Sequence, residues 1–88
     1  MLKISALLLA LGVSGAAFAG PYCTVHPTSE WMSETAARAQ IEAQGYKIAK
    51  FDIDDNCYEV DAYDKNGRQV EIHYDTKTLD VVRSRFDY

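Results

Sequence analysis

The chain has 88 residues, with nine basic and thirteen acidic side chains and a formal net charge of -4, which leaves room for one small domain and no second. Much of its 48% hydrophobic content lies in the first nineteen residues, so the remainder can build only a modest core. Without that stretch and its Lys3, eight bases face thirteen acids, a net charge of -5. This excess argues against nucleic acid or anionic lipid as a partner, and the short length argues against an enzyme with a deep cleft.

Met1 to Ala19 has the pattern of a secretory signal: a cation at Lys3, an apolar run from Ile4 to Val13, and small residues ending in Ala17-Phe18-Ala19 before Gly20. The apolar run is shorter than the roughly 20 residues that a membrane-spanning helix needs, so no stable membrane insertion is expected once the signal is removed. A lipoprotein is disfavoured because Cys23 follows Pro21-Tyr22 rather than small residues. The predicted organisation is a signal peptide over 1–19, an extended arm over 20–32 and a folded domain over 33–88, with a periplasmic or secreted destination.

Cys23 and Cys57 both fall in the exported part, and an even count in an oxidising compartment predicts a disulfide, within one chain or between two. Closed within one chain, it would restrict the unfolded state by about 3 to 4 kcal/mol. The alternative is a metal site, since Cys23-Thr24-Val25-His26 has C-x-x-H spacing and Cys57 could join it, but a fourth ligand is lacking.

The arm carries Pro21, Pro27, Thr28 and Ser29 and has no periodicity. Ser33 then reads as an N-cap, Glu34 as a first-turn acid and Gly45 as the residue that closes a helix of about eleven residues. Its apolar stripe is Ala37, Ile41 and Gln44, with Met32 stapled against Ala37. From Tyr46 the period becomes two. Tyr46 and Ile48 share one parity and Ala49, Phe51 and Ile53 the other, which predicts a strand with a bulge near Ala49. Asp54-Asp55-Asn56 turns the chain, and Cys57 to Asp64 and Arg68 to Tyr74 alternate as two further strands.

The hairpin between those strands sets their register. A two-residue Asn66-Gly67 loop would place Ala62 opposite Glu71 and set the apolar faces against each other. A type I turn over Asp64 to Gly67, with Gly67 left-handed at a bulge, instead pairs Ala62 with Val70, Val60 with Ile72 and Tyr58 with Tyr74. A turn at Asp75-Thr76-Lys77-Thr78 leads to a last strand from about Leu79 to Phe86, with Leu79 and Val81 inward. The expected fold is α+β: one helix packed on an antiparallel meander of about four strands.

This order of elements resembles the PepSY domain family, and in particular its small secreted single-domain members. The resemblance rests on Trp31-Met32-Ser33, Ile41-Glu42-Ala43-Gln44-Gly45-Tyr46, Cys57-Tyr58-Glu59-Val60, Asp64-Lys65-Asn66-Gly67, and Val70-Glu71-Ile72 leading to Tyr74-Asp75. The turn after Asp75 departs from it. Family members often carry Pro after the Asp and Gly before the last strand, where this chain has Thr76 and Thr78-Leu79. The resemblance implies a module that binds or restrains peptidases in the cell's surroundings. It brings no catalytic motif, so no enzymatic role is assigned to any residue.

In the derived register His73 opposes Glu59 on the polar face, as a surface cross-strand ion pair, and no serine shares that pair, although Ser84 lies on a later strand. Asp52-Ile53-Asp54-Asp55-Asn56 begins like a calcium loop, but Cys57 stands where Gly is needed and Tyr63 where Glu is needed, so an acidic turn is the better reading. Glu59, Asp61 and Glu71 crowd one face, with Asp61 opposite Glu71. They are either solvated surface, partly neutralised by His73, Lys47, Lys50 or Arg83, or a docking face for a basic partner. Trp31 reads as a lid on the core or as an exposed anchor.

The expectation is therefore a secreted, non-enzymatic binding module that docks an exported protein, a peptidase being the class implied, through its sheet face or an edge strand near Phe51. Glu59, Asp61, Glu71, His73 and Trp31 are its candidate contact residues, with no cofactor and no metal ligand assigned. The alternative is an envelope accessory protein that binds a small ligand or a metal.

Overall fold

A computed structural model describes residues 23–86; the expected signal segment lies outside the described residues. One helix, α1 (Glu34–Ala43), precedes four strands, β1 (Lys47–Asp54), β2 (Cys57–Tyr63), β3 (Gln69–Asp75) and β4 (Val81–Phe86), which form one antiparallel sheet in chain order. No helix among the described residues is long and apolar enough to cross a membrane.

The start of α1 follows from capping. The Ser33 hydroxyl accepts a hydrogen bond from the Ala36 amide at 3.1 Å, relieving one of the orphan donors of the first turn. The Glu34–Arg38 pair at 2.8 Å links successive turns on the exposed side. Gly45, at φ +102°, ends the helix in the left-handed region that favours glycine. Ala37 and Ile41 are fully buried, as the periodicity requires, and join Tyr58, Val60, Ala62, Val70, Ile72, Tyr74 and Leu79 in one cluster. Gln44, expected on the apolar stripe, is exposed, because it is the C-cap residue and the helix ends there.

The strands follow the predicted patterning closely. The β1–β2 register shifts between Ile48 and Lys50, the bulge expected near Ala49. Asp55 and Asn56, at φ +48° and +66°, form a two-residue hairpin loop of the type in which both central residues are left-handed, a conformation that Asp and Asn tolerate. The β2–β3 register is Ala62 with Val70, Val60 with Ile72 and Tyr58 with Tyr74. Its turn carries Gly67 at φ +82°, and the Asp64 carboxylate accepts from the amides of Asn66 and Arg68.

The last turn differs from expectation. Leu79 is inward, with 8% exposure, but it precedes the strand rather than opening it. It sits at φ +64°, a left-handed conformation costing an ordinary side chain about 1 kcal/mol or more. Burial of its side chain in the core offsets that strain. Val81, expected inward, is 57% exposed. A register shift between His73 and Tyr74 disturbs the alternation there, and α1 packs on the β1 side of the sheet, leaving β4 uncovered. All six β4 residues are exposed, including Ser84 and Phe86 opposite the inward Ile72 and Val70.

Cys23 and Cys57 are joined within the chain, with Cα atoms 5.3 Å apart. The sulfurs are consumed in this bond and the His26 ring turns to Asp75 instead, so the C-x-x-H metal reading does not stand. The arm includes a short 3-10 turn at Thr28–Glu30. It is held further by a Met32 amide bond to the Thr76 carbonyl (2.8 Å), a Trp31 indole bond to the His26 carbonyl (2.9 Å) and the Tyr58 hydroxyl donating to the Met32 carbonyl (2.6 Å).

Asp75 ties this arm to the last turn. Its carboxylate faces His26 Nε2 at 3.0 and 3.1 Å and accepts from the amides of Lys77 and Thr78 and the Thr78 hydroxyl. Burial pushes its pKa upward, but the Thr78 amide, His26, the Lys77 amide and the Thr78 hydroxyl outweigh that and hold it at about 2.

Two outcomes follow. Reduction with dithiothreitol should lower the unfolding free energy by about 3 to 4 kcal/mol in urea titrations, the chain-entropy value for a loop of this length. The Asp75 carboxylate has a folded-state pKa below its ordinary 3.8, so it stabilises the fold fully above about pH 4, a contribution lost as pH falls toward 2. Asp75→Asn should therefore cost about 2 kcal/mol at pH 7 and flatten the acid limb of the stability curve over that window.

Candidate functional site

The sheet has two unlike faces. Alternation sends Tyr58, Val60, Ala62, Val70, Ile72 and Tyr74 under α1, and the opposite parity places Lys50 and Asp52 on β1, Glu59 and Asp61 on β2, and Glu71 and His73 on β3 on the helix-free face. Arg83 and Arg85 complete it from β4, opposite His73 and Glu71.

On this face the structure brings together four of the five candidate contact residues. Asp61 lies directly opposite Glu71, and Glu59 opposite His73, as the hairpin register predicts. The neutralising partner differs from those expected: the Arg85 guanidinium grips Glu71 Oε1 through two nitrogens, at 2.7 and 2.8 Å. Lys50 pairs with Asp52 at 3.3 Å. Arg85 was missed because the β3–β4 register depends on a shift that no sequence pattern marks.

Glu59 and Glu71 shift one another's titration in opposite directions. The hydrogen bond to Glu71, with burial and the Glu71 charge adding to it, pushes the Glu59 carboxyl up to about 7. The same hydrogen bond, together with Arg85, holds Glu71 below the usual carboxylate range. Two carboxylates this close cannot both ionise freely, and the one beside the guanidinium keeps the charge.

His73 is not the surface residue expected from its polar parity. It is 6% exposed, and its Nε2 lies 4.0 Å from both Asp54 Oδ2 and Glu71 Oε2. Asp54 also went unassigned: it read as a turn acid, and only the two-residue hairpin at Asp55-Asn56 folds it back beside β2.

Trp31 lies away from this face. It is half-buried, packs against the core and meets the Tyr58 ring edge-on at 5.6 Å. Beside it Phe51 lies between the Tyr58 ring, at 4.9 Å, and the Arg38 guanidinium, at 5.2 Å. Deep in the core, burial pushes the Tyr74 phenol up to about 12, with Tyr46 adding to the effect.

One helix on one face of a four-stranded antiparallel meander, with a carboxylate-rich opposite face, defines a small two-layer α+β module. The chain belongs to the PepSY_2 family, the peptidase propeptide and YPEB domain, whose model matches residues 3–85, essentially the whole chain. No curated protein and no solved structure shows a significant match. Domains of this family are generally non-catalytic propeptide or inhibitor modules, typically extracellular or in the envelope.

The charge arrangement makes Asp61 and Arg85 behave oppositely. Asp61→Asn removes a like-charge neighbour from Glu71 and should leave stability unchanged or raised by a few tenths of a kcal/mol. Arg85→Ala releases Glu71 and the edge strand and should lower it by about 0.5 to 1 kcal/mol. Thermal denaturation of both variants at low salt checks the pair.

Proposed function

We propose that this protein is an exported, non-enzymatic module that docks another exported protein, and that the partner is a peptidase. Residues 1–19 act as the removable export signal, and the mature chain works in the periplasm or outside the cell. The family's description as a peptidase propeptide domain supports the partner class. The bonded cysteine pair supports an oxidising destination.

The observation that carries the docking reading is β4. It is an edge strand, exposed along its length, with Val81 at 57% and Val82 at 40% exposure. Native edge strands are usually short, charged or covered, because an open edge accepts a further strand. Here the helix lies toward the other edge of the sheet, so an extended peptidase segment can add beside β4 through main-chain hydrogen bonds, with the exposed valines supplying apolar contact. Asp61, Glu59 and Glu71 give the neighbouring face a negative field that steers a basic surface toward it. Trp31 and His73, largely withdrawn from solvent, act by holding the arm and the sheet rather than by touching the partner.

A crosslinking pull-down with the purified protein from an exported-protein fraction tests the reading. The wild type should recover a peptidase. Val82→Lys should weaken that complex by about tenfold or more, and Asp61→Asn should slow association and reduce its salt dependence without changing the fold. Recovery of no peptidase by the wild type would end the peptidase reading, and a Val82→Lys complex of undiminished affinity would move the interface off β4.

A further inference from the structure

Acidic side chains from three strands converge with one imidazole on the helix-free face. The potential ligand atoms of Asp54, Glu59 and His73 all lie within 4.8 Å of one another, and so do those of Glu59, Asp61 and Glu71, with Glu59 common to both groups. Carboxylates alone on a surface prove nothing, but the imidazole is a separate matter. The His73 side chain is 8% exposed. Its Nδ1 is buried without a hydrogen-bond partner among the described residues, and its Nε2 points at Asp54 and Glu71 across 4.0 Å, beyond hydrogen-bond range.

Neither tautomer suits the empty arrangement. With the proton on Nδ1, the Nε2 lone pair faces carboxylate oxygens. With the proton on Nε2, the donor falls short of every acceptor, and the buried Nδ1 is left unmet. A cation among these groups resolves the Nε2 side of this conflict, because a lone pair and carboxylates are what it needs, and it fixes the proton on Nδ1. The local bases do not fill that role. Arg85 holds Glu71 Oε1 and leaves Oε2 turned to the imidazole, and Lys50 is engaged with Asp52. Arg83, opposite His73 on β4, makes no ion pair with the group among the described residues.

We propose that Asp54, Glu59 and His73, with Glu71 as a fourth donor, bind one divalent transition-metal ion of the zinc type. Metal–ligand bonds of 2.0–2.2 Å in a tetrahedral site put neighbouring donor atoms about 3.4 Å apart, so the two 4.0 Å separations from the imidazole must close by about 0.6 Å and the others, within 4.8 Å among Asp54, Glu59 and His73, by up to about 1.4 Å. Asp54, at the exposed end of β1 with its side chain 51% accessible, can move that far. An imidazole nitrogen combined with few oxygens selects a zinc-like ion over calcium or magnesium, which prefer six or more oxygens. The site shares Glu59 and Glu71 with the face proposed to steer the partner, but the assay below uses no partner protein, so the two readings fail separately.

The test is titration calorimetry with zinc chloride on the purified protein, stripped with chelator and exchanged into chelator-free buffer. One ion per chain should bind with a Kd of about 10 µM or tighter, and calcium and magnesium chlorides at least about tenfold more weakly. Glu59→Gln and His73→Gln should each weaken zinc binding by at least about tenfold. His26→Gln, which removes the other imidazole of the chain, should leave it unchanged. If His73→Gln does not fold, the wild type still decides, because zinc should shift the ring nitrogen resonances of His73 and not those of His26. Absence of heat and of ring shifts at millimolar zinc would overturn the proposal. So would binding lost in His26→Gln and kept in Glu59→Gln, or calcium binding as tight as zinc.

Discussion

The bond between Cys23 and Cys57 is the constraint on which the rest of this small structure depends. One ten-residue helix covers only part of one sheet face, and a core of nine buried side chains is little for a domain to stand on. The bond fastens the arm to the start of β2, and everything that follows along the arm becomes local. His26 reaches Asp75, the Trp31 indole folds back on the arm, and Met32 joins the Thr76 carbonyl and the Tyr58 hydroxyl. These contacts lead directly into Ser33 and so fix where α1 begins.

Asp75 shows how few groups manage the far end of that arm. Its carboxylate serves His26 and the last turn together, and its backbone closes the turn to Asp80 and Leu79. The turn uses a leucine in a left-handed conformation where glycine would be relaxed. The strain is tolerated because the same geometry drives the side chain into the core, and because Asp75 satisfies amides that would otherwise be orphaned.

The division of labour between faces follows from the position of the helix. Packed toward β1, it leaves β4 open along its length, so the edge that a larger domain would cover remains available to another chain. The opposite face is not simply wet. Crowded carboxylates there are tempered by the raised pKa of Glu59, by Arg85 and by a buried imidazole, an arrangement whose electrostatics make sense around a bound cation. Edge and face are adjacent across β3 and β4, and the Glu71–Arg85 pair joins them.

By itself the sequence determined the helix with its Ser33 cap and Gly45 stop, the four strands, the bulge near Ala49 and the β2–β3 register. All of these rest on short-range rules: capping chemistry, period-two alternation, and the left-handed preference of Gly67, which admits only one register with both apolar faces inward. The cysteine pairing was legible as a possibility, and its closure within one chain needed the fold. Tertiary structure alone decided that Val81 faces outward, that Leu79 takes the strained position, that Arg85 rather than Arg83 meets Glu71, and that Asp54 comes beside His73. Each of these depends on a register shift or on which face the helix shelters. Such choices are set by packing between elements distant in sequence, and a local pattern of residues carries no record of them.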